Sequence, residues 1–204
     1  MGPIGPKGVK NMSNSKLIRK ITATAMLTAL VVVFQFIGNQ IVIGPVSINL
    51  SLLPIAMGAI LYGPFVGLFL GMVNGALVLL GPGMSLFYDI NIPLTVLVCL
   101  SKTGLAGLIS GLIFKLFEKK APIPGMIIAS LIVPVINTGI YIIACYTVFR
   151  SQVGLLISIF LLYNFLFEFG AAIILSPALV SVIKVVTKKF DDKKELKEIE
   201  NTNE

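Results

Sequence analysis

The sequence contains no histidine and only two cysteines, Cys99 and Cys145, each within an apolar segment. Without imidazole the chain lacks the usual general base and a common ligand of zinc and haem. The cysteines form no CxxC motif, and we interpret both as small core hydrophobes. Paired acids, a metal-binding cluster and an activated nucleophile are missing as well. We therefore expect no catalytic site, no metal and no cofactor, so the protein is not predicted to be an enzyme.

A phosphate-binding loop is also missing, because no G-x-x-x-x-G-K-[ST] pattern occurs. The run Ser101-Lys102-Thr103 lacks the preceding glycines and lies inside an apolar stretch. Because a Walker loop needs those glycines for its backbone to cradle the phosphates, we expect no ATP binding of this kind.

Charge is scarce and unevenly placed. Charged residues make up 12% of the chain, against about 25% in a soluble domain. From Ile21 to Tyr88 there is no Lys, Arg, Asp or Glu. One span takes about 20 apolar residues, so this stretch holds several. The sequence predicts an all-α membrane protein.

Six transmembrane helices are predicted, separated by Gly-Pro and Pro-Gly turns that break helices. Their bounds are approximately Leu17–Ile37, Leu52–Leu61, Pro64–Leu80, Ile92–Phe117, Ile123–Thr147 and Gly154–Lys188. The second helix is too short to cross regularly by itself, so we expect it to tilt or to be shielded by its neighbours.

The basic residues predict the orientation of this bundle. All but Lys102 and Arg150 lie in three clusters, at the N-terminal flank, between the fourth and fifth helices, and at the C-terminal end. Six spans place the three clusters on one side, and the positive-inside rule makes that side cytoplasmic, together with both termini. Membrane topology thus explains the net charge of +7, and we expect no nucleic acid partner.

Three regions are expected along the chain. Residues 1–15 form a disordered leader, and Met12 is an alternative true start. Residues 16–189 form the six-helix transmembrane domain, and residues 190–204 a charged cytoplasmic tail that either is solvated or extends the last helix.

Glycines recur every four residues on the third helix, at Gly63, Gly67, Gly71 and Gly75, and again at Gly107 and Gly111 on the fourth. Stripes of this kind allow two backbones to approach closely. We expect them to pack helices within the chain.

Two charged residues lie at about mid-membrane depth, Lys102 on the fourth helix and Glu168 on the sixth. Charges at this depth are costly and are functional candidates. Two interpretations stay open: the residues pair with each other, or they bracket a polar ligand, with Lys102 binding an anionic group.

Further polar side chains extend the candidate binding site. Asn74, Asn137 and Asn164 lie in the third, fifth and sixth helices, and Tyr141 follows Asn137 by one turn. Each amide either bonds a neighbouring helix or contacts the ligand. The uncharged first outer loop, residues 38–49, is either a lid over the pocket or an ordinary interfacial loop.

Several short motifs resemble the substrate-binding S components of energy-coupling factor (ECF) vitamin transporters, over about Lys16 to Lys189. The motifs are Ala25-Met26-Leu27-Thr28-Ala29, Leu53-Pro54-Ile55, Gly63-Pro64-Phe65-Val66-Gly67 with Gly71, Pro134 to Gly139, and Asn164 to Glu168.

The resemblance implies a six-helix subunit in the plasma membrane of a prokaryote that captures a vitamin from outside. It implies docking through the helix-one alanines, here Ala25 and Ala29, onto a membrane T component driven by two cytoplasmic ABC ATPases. It leaves the solute open, and Lys102 favours one with a carboxylate, such as pantothenate, nicotinate or folate, with riboflavin still possible.

Two other functions remain open. One is a stand-alone or proton-coupled secondary carrier of a small polar solute, although the inverted repeats typical of such carriers are not detected. The other is a membrane scaffold or a subunit of an enzyme complex.

Overall fold

The computed structural model describes the backbone of residues 7–43, 46–81, 84, 88–89, 91–147 and 155–202. The predicted turns at Gly44-Pro45 and Pro82-Gly83, together with Arg150, lie outside these residues. Within them the chain forms six helices and one two-residue hairpin. The helices are α1 (Lys7–Gln40), α2 (Leu52–Tyr62), α3 (Pro64–Leu79), α4 (Ile92–Phe117), α5 (Pro122–Thr147) and α6 (Leu155–Thr202).

The all-helical architecture predicted from composition is therefore found, with one small addition. Strands β1 (Val42–Ile43) and β2 (Val46–Ser47) pair antiparallel in the first outer loop. This hairpin contacts α1 and α6. An uncharged loop with alternating apolar residues is compatible with such pairing, but the run is too short to reveal a strand by its periodicity.

Helix bounds differ from the predictions mainly at the two ends of the chain. α1 begins at Lys7, inside the segment predicted to be a disordered leader, and α6 continues to Thr202. Neither Gly nor Pro occurs between Val9 and Ile37 or between Ala178 and Thr202. Nothing therefore interrupts the backbone hydrogen bonds where the apolar pattern stops.

Four helical stretches are long and apolar enough to cross a bilayer: Leu17–Gln40, Ile92–Phe117, Pro122–Thr147 and Ile159–Lys188. α2 and α3 are apolar but shorter. At about 1.5 Å per residue α2 is roughly 16 Å long, about half of a bilayer core of about 30 Å. α2 therefore lies within the bundle rather than across it, and most of its residues are buried.

A glycine seam joins α3 to α4. A Cβ atom at Gly67 would collide with the carbonyl group of Gly107, and one at Gly71 with that of Thr103. The two backbones are thus in direct contact, as the glycine spacing predicted. Gly63 lies outside this seam, because a Cβ there would meet no atom within 4 Å; with φ +98° it forms the Gly-Pro turn predicted between α2 and α3.

The apolar core lies where the helices surround α2. Buried apolar side chains from all six helices contact one another there, among them Val31, Ile55, Leu70, Ala106, Val133 and Ile183. A second, smaller apolar cluster lies towards the other end of α4 and includes Met84, Cys99, Tyr141 and Cys145. The candidate site lies beside this second cluster.

Candidate functional site

Lys102 and Tyr141 form the charged part of the candidate site. The Lys102 side chain is buried, at 6% exposure, and its Nζ lies 4.3 Å from the centroid of the Tyr141 ring. A desolvated cation over an aromatic face gains about 2 kcal/mol. This contact orients the ammonium group between α4 and α5 but supplies no negative charge to balance it.

Lys102 and Glu168 form no salt bridge, so the pairing that the sequence left open is not found. The Glu168 carboxylate is instead occupied by hydrogen-bond donors of the protein. Oε1 accepts from Asn164 Nδ2 at 2.9 Å and from the Asn49 backbone N–H at 3.1 Å. Oε2 accepts from Thr138 Oγ1 at 3.5 Å. Glu168 is 5% exposed, and these donors compensate for its burial.

Two amide oxygens near this carboxylate have no hydrogen-bond partner among the described residues. They are Oδ1 of Asn137 and Oδ1 of Asn164, both fully buried. Asn137 also hydrogen-bonds Glu168, and Tyr141 follows it by one turn on the same face of α5. Buried polar atoms without partners are rare in proteins. Both acceptors belong to residues that hydrogen-bond Glu168, and Glu168 in turn interacts electrostatically with Lys102.

Asn74 lies in a separate polar cluster between α1, the loop and α3. Ser51, the residue before α2, is in contact through its hydroxyl with Oδ1 of Asn49, Oδ1 of Asn74 and, at 3.1 Å, Oε1 of Gln35. Asn74 Nδ2 donates to Asn49 Oδ1 at 3.4 Å. This cluster holds the N-terminal end of α2 deep in the bundle.

The depth of this cluster follows from α3. The side chain of Asn39 lies beside Gly81, just after α3 ends. Asn74 is seven residues before Gly81, or about 10 Å along a helix. The chain between Asn39 and Ser51 therefore descends by about this distance into the bundle. Irregular backbone is tolerated at such depth where protein groups satisfy it or where it lines a cavity.

The two cysteines are buried, as predicted, in the apolar cluster beside Lys102. Cys99 Sγ lies 3.9 Å from Met84 Sδ, and Cys145 is completely buried. The structure thus supports their interpretation as core hydrophobes. Among the described residues no group of three or more metal-binding side chains occurs.

The structure brings five of the six predicted site residues together. Lys102 contacts Tyr141, and Asn137 and Asn164 hydrogen-bond Glu168. The two groups are related by the electrostatic interaction of Lys102 with Glu168, whereas Asn74 reaches Glu168 only through Asn49. Sequence reasoning missed Gln35, Ser51 and Thr138. Gln35 carries a usable signal, since an amide in an otherwise apolar helix is costly unless it is bonded.

The helix-one alanines lie on a different surface. Ala25 and Ala29 are exposed on α1. Next to Ala25, a groove of about 600 Å³ lies between α1 and α3 and is bounded by Lys20, Ile21, Thr28, Val66 and Phe69. Small residues beside an open groove provide a surface that another helix can approach closely.

Comparison with known protein families gives one match, to the ECF transporter, substrate-specific component, over residues 19–181. The match covers α1 from Arg19 to the greater part of α6, including every residue of the candidate site. Comparison with curated proteins gives no significant match.

Proposed function

Because the chain belongs to the family of ECF transporter substrate-specific components, we propose that it captures a small anionic solute of the vitamin class at the Lys102 site. Membership makes it a membrane-embedded, substrate-binding subunit of an importer. The chemical class of the solute is inferred from the side chains at the candidate site.

The observation that carries this proposal is the buried Lys102 ammonium, which forms no salt bridge with a described carboxylate and interacts with Glu168 only through longer-range electrostatics. Burying a cation without a counterion is costly, and no carboxylate among the described residues pairs with it. A solute carboxylate would supply the missing charge and form charge-assisted hydrogen bonds. Donor groups of the same solute would satisfy the free oxygens of Asn137 and Asn164.

The apolar neighbours of Lys102 suit the remainder of such a solute. Tyr141, Met84 and Cys99 form a polarisable wall, and thioethers contact aromatic rings favourably. Pantothenate, nicotinate and folate combine a carboxylate with further polar or ring groups. Riboflavin lacks a carboxylate and would leave the Lys102 charge unmatched, so we place it last among the four.

We further propose that α1 is the surface for partner subunits. Ala25, Ala29 and the adjacent groove would receive a helix of a membrane T component, and two cytoplasmic ABC ATPases would drive transport. The lack of a Walker loop in this chain agrees with ATP hydrolysis by separate subunits. The location proposed is the plasma membrane of a prokaryote.

The topology proposed is six membrane segments with both termini cytoplasmic. α2 and α3 form a hairpin of short helices through Gly63, and α2 begins at Leu52, just after the buried Ser51. The pair reverses the chain direction twice. The termini therefore stay on one side whether or not each short helix spans the bilayer fully.

The decisive experiment is equilibrium binding of pantothenate, nicotinate, folate and riboflavin to the purified full chain, with the uncharged amides of the first two as controls. We expect one carboxylate to bind and its amide to bind much more weakly. Failure of all four to bind would contradict the proposal.

Uptake assays separate this proposal from the secondary-carrier alternative. Liposomes that contain the chain alone should not accumulate the solute. Accumulation should require the T component, the ATPases and ATP. Accumulation by the chain alone under a proton gradient would establish the carrier instead.

A further inference from the structure

Asn49 connects the hairpin to α2 and is held from two sides. Its backbone N–H donates to Glu168 Oε1 on α6 at 3.1 Å. Its side-chain oxygen contacts the Ser51 hydroxyl and accepts from Asn74 Nδ2 at 3.4 Å. Asn49 is 7% exposed. The only strands among the described residues are therefore followed by a buried junction, formed by Asn49, that contacts α3 on one side and α6 on the other.

Glu168 has little capacity left for a solute. Its carboxylate already accepts four hydrogen bonds, from the Asn49 backbone N–H and from the side chains of Asn164, Thr138 and Asn137. These donors come from the loop, from α6 itself and from α5. Glu168 thus differs from Lys102, which has an aromatic contact but no hydrogen-bonded anion. Contacts of this kind are typical of a residue that fixes the positions of neighbouring segments, here the loop and α5.

The two sides of the junction have different packing neighbours. Ser51 directly precedes α2 and Asn74 lies in α3, which is locked to α4 by the glycine seam. On the other side a cavity of about 10 Å³ adjoins Glu168, bounded by Asn49, Leu53, Pro134 and Ala172. This is about the space one water molecule needs. Glu168 therefore has a small void beside it.

We propose that Glu168 is a positioning residue, and that release of the Asn49 N–H from its carboxylate frees the hairpin end of the loop while Ser51 and Asn74 hold the start of α2. The importance of this step for solute exchange depends on the proposed function. The contact itself does not, so the two can be tested separately.

The first test is hydrogen–deuterium exchange at the Asn49 amide in the full chain, in lipid nanodiscs without solute. A hydrogen bond to a charged group contributes about 1.5–3 kcal/mol, so Glu168→Ala should accelerate exchange by about 10- to 100-fold. Glu168→Gln keeps an acceptor oxygen and should have a smaller effect. Ser176→Ala is the matched control, because Ser176 is buried two turns further along α6 and bonds only Ile173 of its own helix.

The second test is the dissociation rate of whichever carboxylate of the panel binds best. In Glu168→Ala we expect faster dissociation by a similar factor, with an unchanged ratio of affinities for the carboxylate and its amide. Partial recovery in Glu168→Gln would separate positioning from general loss of folding.

Two outcomes would overturn the inference. One is wild-type exchange at Asn49 in Glu168→Ala. The other is a changed carboxylate-to-amide ratio with unchanged exchange, which would make Glu168 a solute contact. If the wild-type protein bound none of the panel while exchange still depended on Glu168, the positioning role would stand and the proposed function would fail.

Discussion

The Nζ atom of Lys102 lies 4.3 Å from the centroid of the Tyr141 ring, and no salt bridge joins Lys102 to Glu168. The two charges that sequence alone singles out thus have different surroundings. Glu168 is hydrogen-bonded by the protein on both oxygens, whereas Lys102 has no hydrogen bond or salt bridge to the described residues. On this difference we base the proposal that Lys102 contacts the solute and Glu168 is a structural support.

Lys102→Met is expected to weaken binding of the carboxylate solute by about 10- to 100-fold, since a hydrogen bond to a charged group contributes about 1.5–3 kcal/mol. Affinity for the uncharged amide should change little, and the two can be compared by calorimetry. Thermal stability should be unchanged or higher, because the variant removes a buried, unpaired charge.

Lys115→Met is the control for this variant, because Lys115 lies on the same helix but is exposed at its end. It should leave both affinities unchanged. An equal loss for carboxylate and amide in Lys102→Met would show that the lysine shapes the site without contacting the anion.

Gly71→Ala is expected to destabilise the protein, because the new Cβ would collide with the Thr103 carbonyl group. Overpacking typically costs about 1–3 kcal/mol, and two backbones have little freedom to separate. Gly139→Ala is the matched control on α5, where a Cβ meets no atom within 4 Å. It should be neutral or stabilising by up to about 1 kcal/mol. Thermal unfolding in detergent compares them, and equal stability of the two variants would contradict a close α3–α4 seam.

Much of this architecture is encoded in patterns that act over short range. The turns, the six helices and the α3–α4 seam follow from Gly and Pro positions and from hydropathy, because each depends on neighbours in sequence. α4 begins and ends at the predicted residues, Ile92 and Phe117. The helical extension at the N-terminal end was not predicted and that at the C-terminal end was left open, because apolar patterning carries no information where a helix leaves the apolar region.

The residues of the candidate site could be predicted from the sequence, but the contacts between them could not. Polar residues in apolar helices are conspicuous, so Lys102, Asn137, Asn164 and Glu168 could be chosen directly. Whether Glu168 contacts Lys102 or Asn49 depends on how helices far apart in sequence meet. No local sequence pattern indicates that the loop descends into the bundle either, and Ser51 was missed for that reason.

The proposed topology predicts that Lys119 and Asn91 lie on opposite sides of the membrane. Both are exposed at the ends of α4, after its last residue and before its first. In intact cells an impermeant thiol reagent should label Asn91→Cys and leave Lys119→Cys unlabelled until the cells are opened. The native Cys99 and Cys145 are buried and should give little background. Labelling of Lys119→Cys in intact cells would reverse the orientation and contradict the proposed site of solute capture.

Ala25→Trp is expected to prevent association with the T component without affecting solute binding. Ala25 is exposed beside the groove between α1 and α3, and a large ring would fill the space that a partner helix needs for close approach. The proposed solute site lies on α4, α5 and α6, so the affinity for the solute should stay within about twofold, as expected for a surface change elsewhere. Ala178→Trp is the matched control, because Ala178 is exposed on α6 and should leave association intact. Each variant is tested for co-purification with the T component and ATPases, and its affinity for the solute is measured in parallel. Normal association of Ala25→Trp would mean that the partner docks on another face, whereas loss of both properties would indicate misfolding.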